Sequence, residues 1–216
     1  VESPRRIALT FDDGPNPAIT PRLLDLLGRY NARATFFIIG RYAAQCPDIV
    51  RAIAARGHLL GNHTNTHPDL IWLSRASIEQ ELRQCEEAAG AALAGGKSSP
   101  ASNTQPTPNK VGSASTLAMP WMRPPFGFRG PQLKSVTSAM GFRGMVTWSR
   151  RSYDWKPQHP ERLIARLAQV RARDIVLMHD GDHRAQGGDR AHVVTALEHW
   201  LPRWRDAGLE FVTIAH

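Results

Sequence analysis

Ile7-Ala8-Leu9-Thr10-Phe11 runs directly into Asp12-Asp13-Gly14-Pro15: a short apolar stretch, two carboxylates, then a turn. A brief apolar run bounded by turn chemistry reads as a buried strand. The same grammar recurs outward along the chain. Residues 34–40 carry Thr-Phe-Phe-Ile-Ile, and 58–63 form a short strand candidate. Further strands are expected near Met122 and over 144–148, 175–178 and 210–214. Helical stretches separate them. Thr20-Pro21 opens one that reaches about Tyr30, with a cap residue followed by proline at the first helical position. Gly57 ends another over 47–56, and Ser77 with Gln80 gives capping-box spacing to one over 77–89. Others cover 131–140, 160–170 and 191–207. Roughly seven strand–helix units of this kind predict an α/β fold with a parallel sheet or barrel. In such barrels the reactive groups sit at the C-terminal ends of the strands.

Composition agrees with a globular α/β chain. The 216 residues suit a single domain, and 42% of them are hydrophobic, enough for a sizeable core. The formal charge of +8 raises the question of a polyanionic partner. The basic residues are scattered, however, and no aromatic-basic surface or nucleic-acid motif is present, so no nucleic-acid partner is expected. No run of about 18 apolar residues occurs, so no transmembrane segment is expected. No signal peptide is visible at Val1. Cys46 and Cys85 read either as a pair or as two small buried hydrophobes. The alternation breaks once, over about 95–119, where Gly, Ser, Pro, Thr and Asn dominate. Such a stretch buries too little apolar surface to offset its ordering entropy and is expected to be a flexible loop insertion. A loop of this length either is passive or covers substrate.

Five polar clusters each follow a predicted strand, which in a barrel would turn them to one mouth: Asp12 and Asp13, His63 and His67, Arg123, Asp154, and His179. His63-Thr64-Asn65-Thr66-His67 places two imidazoles four residues apart, on one face of a helical turn or tight loop. Two His and one carboxylate suit zinc or a similar divalent ion and leave positions open. The zinc-protease motif has the same His spacing but needs Glu after the first His, where Thr64 stands, so the base must come from elsewhere. Asp12-Asp13 can supply both a ligand and a base, although Asp-Asp-Gly-Pro is also good turn chemistry. Arg123 can hold a carboxylate in a fixed orientation. In the Arg123-Pro124-Pro125-Phe126-Gly127 loop, Pro125 has no N–H, so Phe126 is the first candidate amide for an oxyanion. His179, after an apolar run, can act as general acid, with Asp154 to orient it. His58, His159, His183, His192, His199 and His216 read as ordinary structural or surface histidines.

These stretches, with Asp154-Trp155 and Leu177-Met178-His179, resemble the five ordered motifs of the polysaccharide deacetylases, carbohydrate esterase family four. The resemblance runs from Ile7 to Ile214 outside the insertion. It implies a distorted (β/α) barrel of about seven parallel strands and one divalent metal ion, commonly Zn2+, with Co2+ or another divalent ion as alternatives. It implies Asp12 as catalytic base, positioned by Arg123, and Asp13, His63 and His67 as metal ligands. His179 would be the acid, tuned by Asp154, while Trp155 and Leu177 would line the pocket for the acetyl methyl.

The expected activity is therefore hydrolysis of N-acetyl groups on an amino-sugar polymer, peptidoglycan or chitin-like, outside the cytoplasm. Its rivals are an O-acetyl xylan esterase using the same site and a non-catalytic carbohydrate-binding module on the same scaffold. The insertion before Arg123 and the Arg150-Arg151 pair depart from the family pattern and bear on the choice of polymer.

Overall fold

β1 (Arg5–Gly14) is the axis around which the sheet is laid. The computed structural model describes residues 5–95 and 117–215. From β1 the chain passes through α1 (Thr20–Arg29), β2 (Ala34–Ile38), α2 (Gly40–Gln45), α3 (Pro47–Ala55), β3 (Leu59–Asn62) and α4 (Arg75–Leu93). It continues through β4 (Trp121–Met122), α5 (Leu133–Ala139), β5 (Gly144–Met145), β6 (Arg150–Arg151), α6 (Pro160–Leu167), β7 (Ile175–His179), α7 (Ala191–Asp206) and β8 (Leu209–Phe211).

Seven strands follow the order β5-β4-β3-β2-β1-β7-β6, with every pairing parallel. β8 adds in parallel to the first three residues of β1. The outer strands β5 and β6 do not pair with each other among the described residues, so the arc is a half-barrel. The strand order reverses at β1, and ligands of open α/β sheets bind at such a switch point, beyond the C-terminal strand ends.

Period-two alternation divides β1 between two environments. Ile7, Leu9 and Phe11 enter the main core with Phe36 and Ile38 of β2, Leu23 and Leu27 of α1, and Val193 and Leu197 of α7. Burying each such Leu, Ile or Phe side chain stabilises the fold by roughly 1.5–3 kcal/mol. Thr10 and Asp12 take the opposite face, inside the arc with Arg123. Phe37 lies beneath the Arg123 guanidinium, 4.1 Å from ring centroid to Cζ. A second core joins α4, α5 and β4 through Ile78, Leu82, Met122, Leu133 and Val136.

Local corrections have local causes. β1 extends through Gly14, so Asp12 and Asp13 lie on the strand end, because the β2 and β7 ladders continue past Phe11. α2 was missed: its six residues are too few to show helical periodicity. α4 begins earlier than expected, since Ser74, not Ser77, is the cap and accepts from the Ser77 N–H. β5 is only two residues long: the Val146 N–H beyond it still donates to the Met122 carbonyl, while the Val146 and Thr147 carbonyls turn to Arg123. Cys46 and Cys85 are separate thiols. Most of the expected insertion, and His216, fall outside the described residues. Its expected far edge does not hold: Met119 is buried in the main core and its N–H donates to Glu86.

Candidate active site

Asp12, Arg123, Asp154 and His179 form two ion pairs inside the mouth of the half-barrel, buried except for a partly exposed His179 ring. Arg123 Nη1 donates to Asp12 Oδ1 at 2.7 Å and to Thr10 Oγ1 at 2.8 Å. Its Nε and Nη2 are taken by the carbonyls of Val146 and Thr147, both at 3.1 Å. The guanidinium is fully buried, and this many-sided hold makes it a fixed counter-charge. At the end of the neighbouring strand, where His179 is in register with Asp12, Asp154 Oδ1 meets His179 Nδ1 at 2.8 Å, while Oδ2 accepts the His179 backbone N–H at 2.7 Å. Burial alone would lower the His179 pKa; the Asp154 carboxylate overrides it and raises it to about 9. His179 is therefore a cation at neutral pH, as a general acid must be.

Beside the Asp12–Arg123 pair lie the candidate metal donors, with His63 Nε2 3.8 Å from Asp12 Oδ2. Asp13 Oδ1 is 3.4 Å from His63 Nε2 and 3.2 Å from His67 Nε2. Despite these distances, this buried oxygen makes no hydrogen bond, which suits a cation among the three better than protons between them. Burial would push the Asp13 carboxyl up, but His183 and His63 hold it well below the usual carboxylate range. Burial and the neighbouring His63 push His67 down to about 3, so its ring is neutral and able to bind a metal. His63 Nδ1 faces the Arg123 carbonyl at 2.7 Å, a bond that fixes the ring and turns Nε2 to the site. This donor chemistry fits a divalent ion with nitrogen and oxygen ligands.

The local backbone explains the aim of these side chains. The His63–His67 loop is tied by Asn62 Oδ1 to the Thr64 N–H at 2.9 Å. Glu81 on α4 accepts from the Asn65 and Thr66 N–H groups at 2.9 and 2.8 Å and from the Thr66 hydroxyl at 2.8 Å. Asp13, His67 and Phe126, which line the cavity, all have φ near +60°, a cluster of left-handed backbone at the site. At the β1–β7 seam, a Cβ on Gly181 would overlap the Asp13 carbonyl, so glycine permits the approach. The adjoining Asp180 carboxyl, pushed up to about 7 by burial, bonds to the Thr20 hydroxyl and locks β7 to the start of α1.

The cavity has a volume of about 400 Å³ and is lined by all the expected site residues except Arg123 and Asp154, which support it from behind. Leu177 is buried in its wall, and Trp155 is partly exposed at its edge, 6.4 Å from the His179 ring. Phe126 sits in a 3-10 turn over Pro125–Gly127 whose own bonds use the N–H groups of Gly127 and Phe128.

One histidine read as ordinary stands among the candidate donors. His183, read as an ordinary histidine, stacks on His67 with ring centroids 4.2 Å apart and puts Nδ1 3.4 Å from Asp13 Oδ2. Donor atoms of Asp13, His67 and His183 gather within 4.8 Å of one another. The signal was its place four residues after His179, in the loop leaving the same strand end. Glu81 was missed because it acts from a helix, through the backbone of another element.

A family model described as polysaccharide deacetylase matches residues 1–102. A chitooligosaccharide deacetylase of Bradyrhizobium is 34% identical over 97% of this chain and 89% of its own length. A peptidoglycan-N-acetylglucosamine deacetylase of Bacillus cereus is 32% identical over 97% and 86%. Among solved structures, a family 4 carbohydrate esterase from Streptomyces lividans in complex with acetate superposes with a TM-score of 0.75. It is 28% identical over 95% of this chain and 91% of that one.

Proposed function

The chain belongs to the polysaccharide deacetylases, carbohydrate esterase family four, and we propose that it is a metal-dependent N-deacetylase of an amino-sugar polymer, releasing acetate. One observation carries the reading above the others: a carboxylate held by Arg123 and an imidazolium held by Asp154 end neighbouring strands in register, beside an Asp/His donor set. That is a base, an acid and a cation site in one cavity. The named activities of the Bradyrhizobium and Bacillus cereus relatives support an N-acetylated oligo- or polysaccharide as substrate.

Asp13, His63 and His67 would hold the ion, with Zn2+ the first choice for this donor set. When bound, it supplies Lewis-acid polarisation of the amide carbonyl and lowers the pKa of water. Asp12 accepts the proton of the attacking water on Oδ2, and Arg123 keeps the carboxylate in place through Oδ1. The Phe126 N–H donates to the oxygen that becomes negative. His179 passes its proton to the departing amine nitrogen, and Asp154 holds the ring in the tautomer and orientation this needs. Leu177 and Trp155 give the acetyl methyl an apolar wall. The domain is taken to be single, spanning residues 1–216. The peptidoglycan in the Bacillus cereus relative's name supports work outside the cytoplasm. No helix among the described residues is long and apolar enough to cross a membrane.

Product analysis tests the reading. Incubation with N-acetylglucosamine oligomers or peptidoglycan should yield one new sugar amine for each acetate. Acetate from acetylxylan alone, with no amine from either N-acetylated substrate, would replace the amidase with an esterase.

A further inference from the structure

His183 lies beside the proposed metal donors, yet the five motifs assign it no role. It stacks nearly parallel on His67, at 17°, and its Nδ1 approaches the second oxygen of Asp13 while His63 and His67 approach the first. Phe126 packs edge-on against both His67 and His183, at centroid distances of 4.7 and 5.6 Å, closing the apolar side of the group.

The placement of His183 is built from outside its loop. On α2, the Tyr42 hydroxyl donates to the carbonyls of Asp182 and His183 at 3.0 and 3.2 Å, and Arg41 donates to the His183 carbonyl. Arg190, itself buried, holds the Asp182 carboxylate at 3.0 Å, and the Asp182 carboxylate also accepts the Arg184 N–H at 2.9 Å. Asn16, just past β1, donates to the Gly188 carbonyl at 2.8 Å. Anchors from three directions fix where residue 183 stands, so its ring is carried to Asp13 by the fold.

We propose that His183 is a fourth protein ligand of the resident metal ion, brought to Asp13 by the α2 anchor through Tyr42. The inference rests on the metal-binding reading of Asp13, His63 and His67 and adds to it a donor from the loop after β7. Its side chain is 28% exposed against 3–5% for the other three, so it is the most exchangeable of the four. Its loss should weaken metal binding, whereas loss of Asp13 should abolish it.

The test uses Co2+ as a spectroscopic probe and Zn2+ in competition with a chelator, on the whole chain. His183→Ala should weaken Zn2+ binding by more than about tenfold, the smallest loss typical of even an outer-shell partner. It should also change the visible d–d bands of bound Co2+, which report the donor set. Tyr42→Phe keeps the imidazole but frees the loop, and should shift both readouts in the same direction by less. Unchanged affinity and bands in His183→Ala, with binding still lost in Asp13→Ala, would overturn this inference alone. A wild-type chain that binds neither ion would overturn the metal reading itself and this inference with it.

Discussion

Asp154 grips His179 twice, through the ring Nδ1 at 2.8 Å and through the backbone N–H at 2.7 Å, so one carboxylate fixes both the proton affinity of the acid and the strand end that carries it. Burial of His179 favours loss of its proton, and Asp154 is the principal group opposing that. The rate should therefore hold until the pH approaches about 9 and fall as His179 gives up its proton. With a base required in the opposite state, the whole profile should be bell-shaped. In Asp154→Asn the alkaline limb should move to lower pH. A limb that stays in place, or a strictly monotonic profile, contradicts the pairing.

Removing the acid itself has a defined scale. His179→Ala should lower turnover by about 10²–10⁴-fold, the usual worth of general acid–base catalysis. Metal content should remain that of the wild type. Undiminished turnover would take His179 out of the mechanism.

Asp12 and Asp13 are neighbours with different work, and one substitution separates them. Asp12→Asn should abolish turnover while the metal stays bound, measured by metal analysis after dialysis. Loss of the metal would mean that the two carboxylates exchange roles.

Arg123 is buried and touches Asp12, so its removal is a test of stability as well as rate. Arg123→Ala leaves the Asp12 charge without its partner inside the arc, a change that costs about 3–5 kcal/mol for a broken buried pair. Denaturant unfolding should show that loss. Arg123→Lys keeps the charge but cannot reach Thr10, Asp12, Val146 and Thr147 together, and should fold while losing turnover. A fully active Lys variant would contradict the positioning role.

Glu81 makes no hydrogen bond to the Asp13, His63 or His67 side chains, yet three hydrogen bonds that it accepts shape the His63–His67 loop. Glu81→Ala should weaken metal binding roughly 10–100-fold, as losing an outer-shell partner does. Unchanged affinity would show that Asn62 and the β3 end hold the loop unaided.

Much of this was legible in the chain. Apolar runs ending in Asp12, His63 and His179 announced parallel strands with reactive groups at their ends, because strand burial and strand-end chemistry are both local in sequence. The five motifs gave every group of the two ion pairs. What stayed hidden depends on long-range contacts. His183 matters through a loop anchored on Tyr42, 141 residues away in sequence, and Glu81 through the backbone of a loop 15 residues before it. Beyond β5 the Val146 and Thr147 carbonyls accept from Arg123, a long-range pairing no propensity expresses.

The central claim is metal-dependent N-deacetylation, and acetate release from an N-acetylglucosamine oligomer tests it most directly. It would be measured on the enzyme as loaded with Zn2+, after chelation, and after Zn2+ is restored. Acetate that stops on chelation and resumes on restoration is the predicted result. Acetate released at the same rate throughout, or none from the enzyme with Zn2+ bound, would contradict the account.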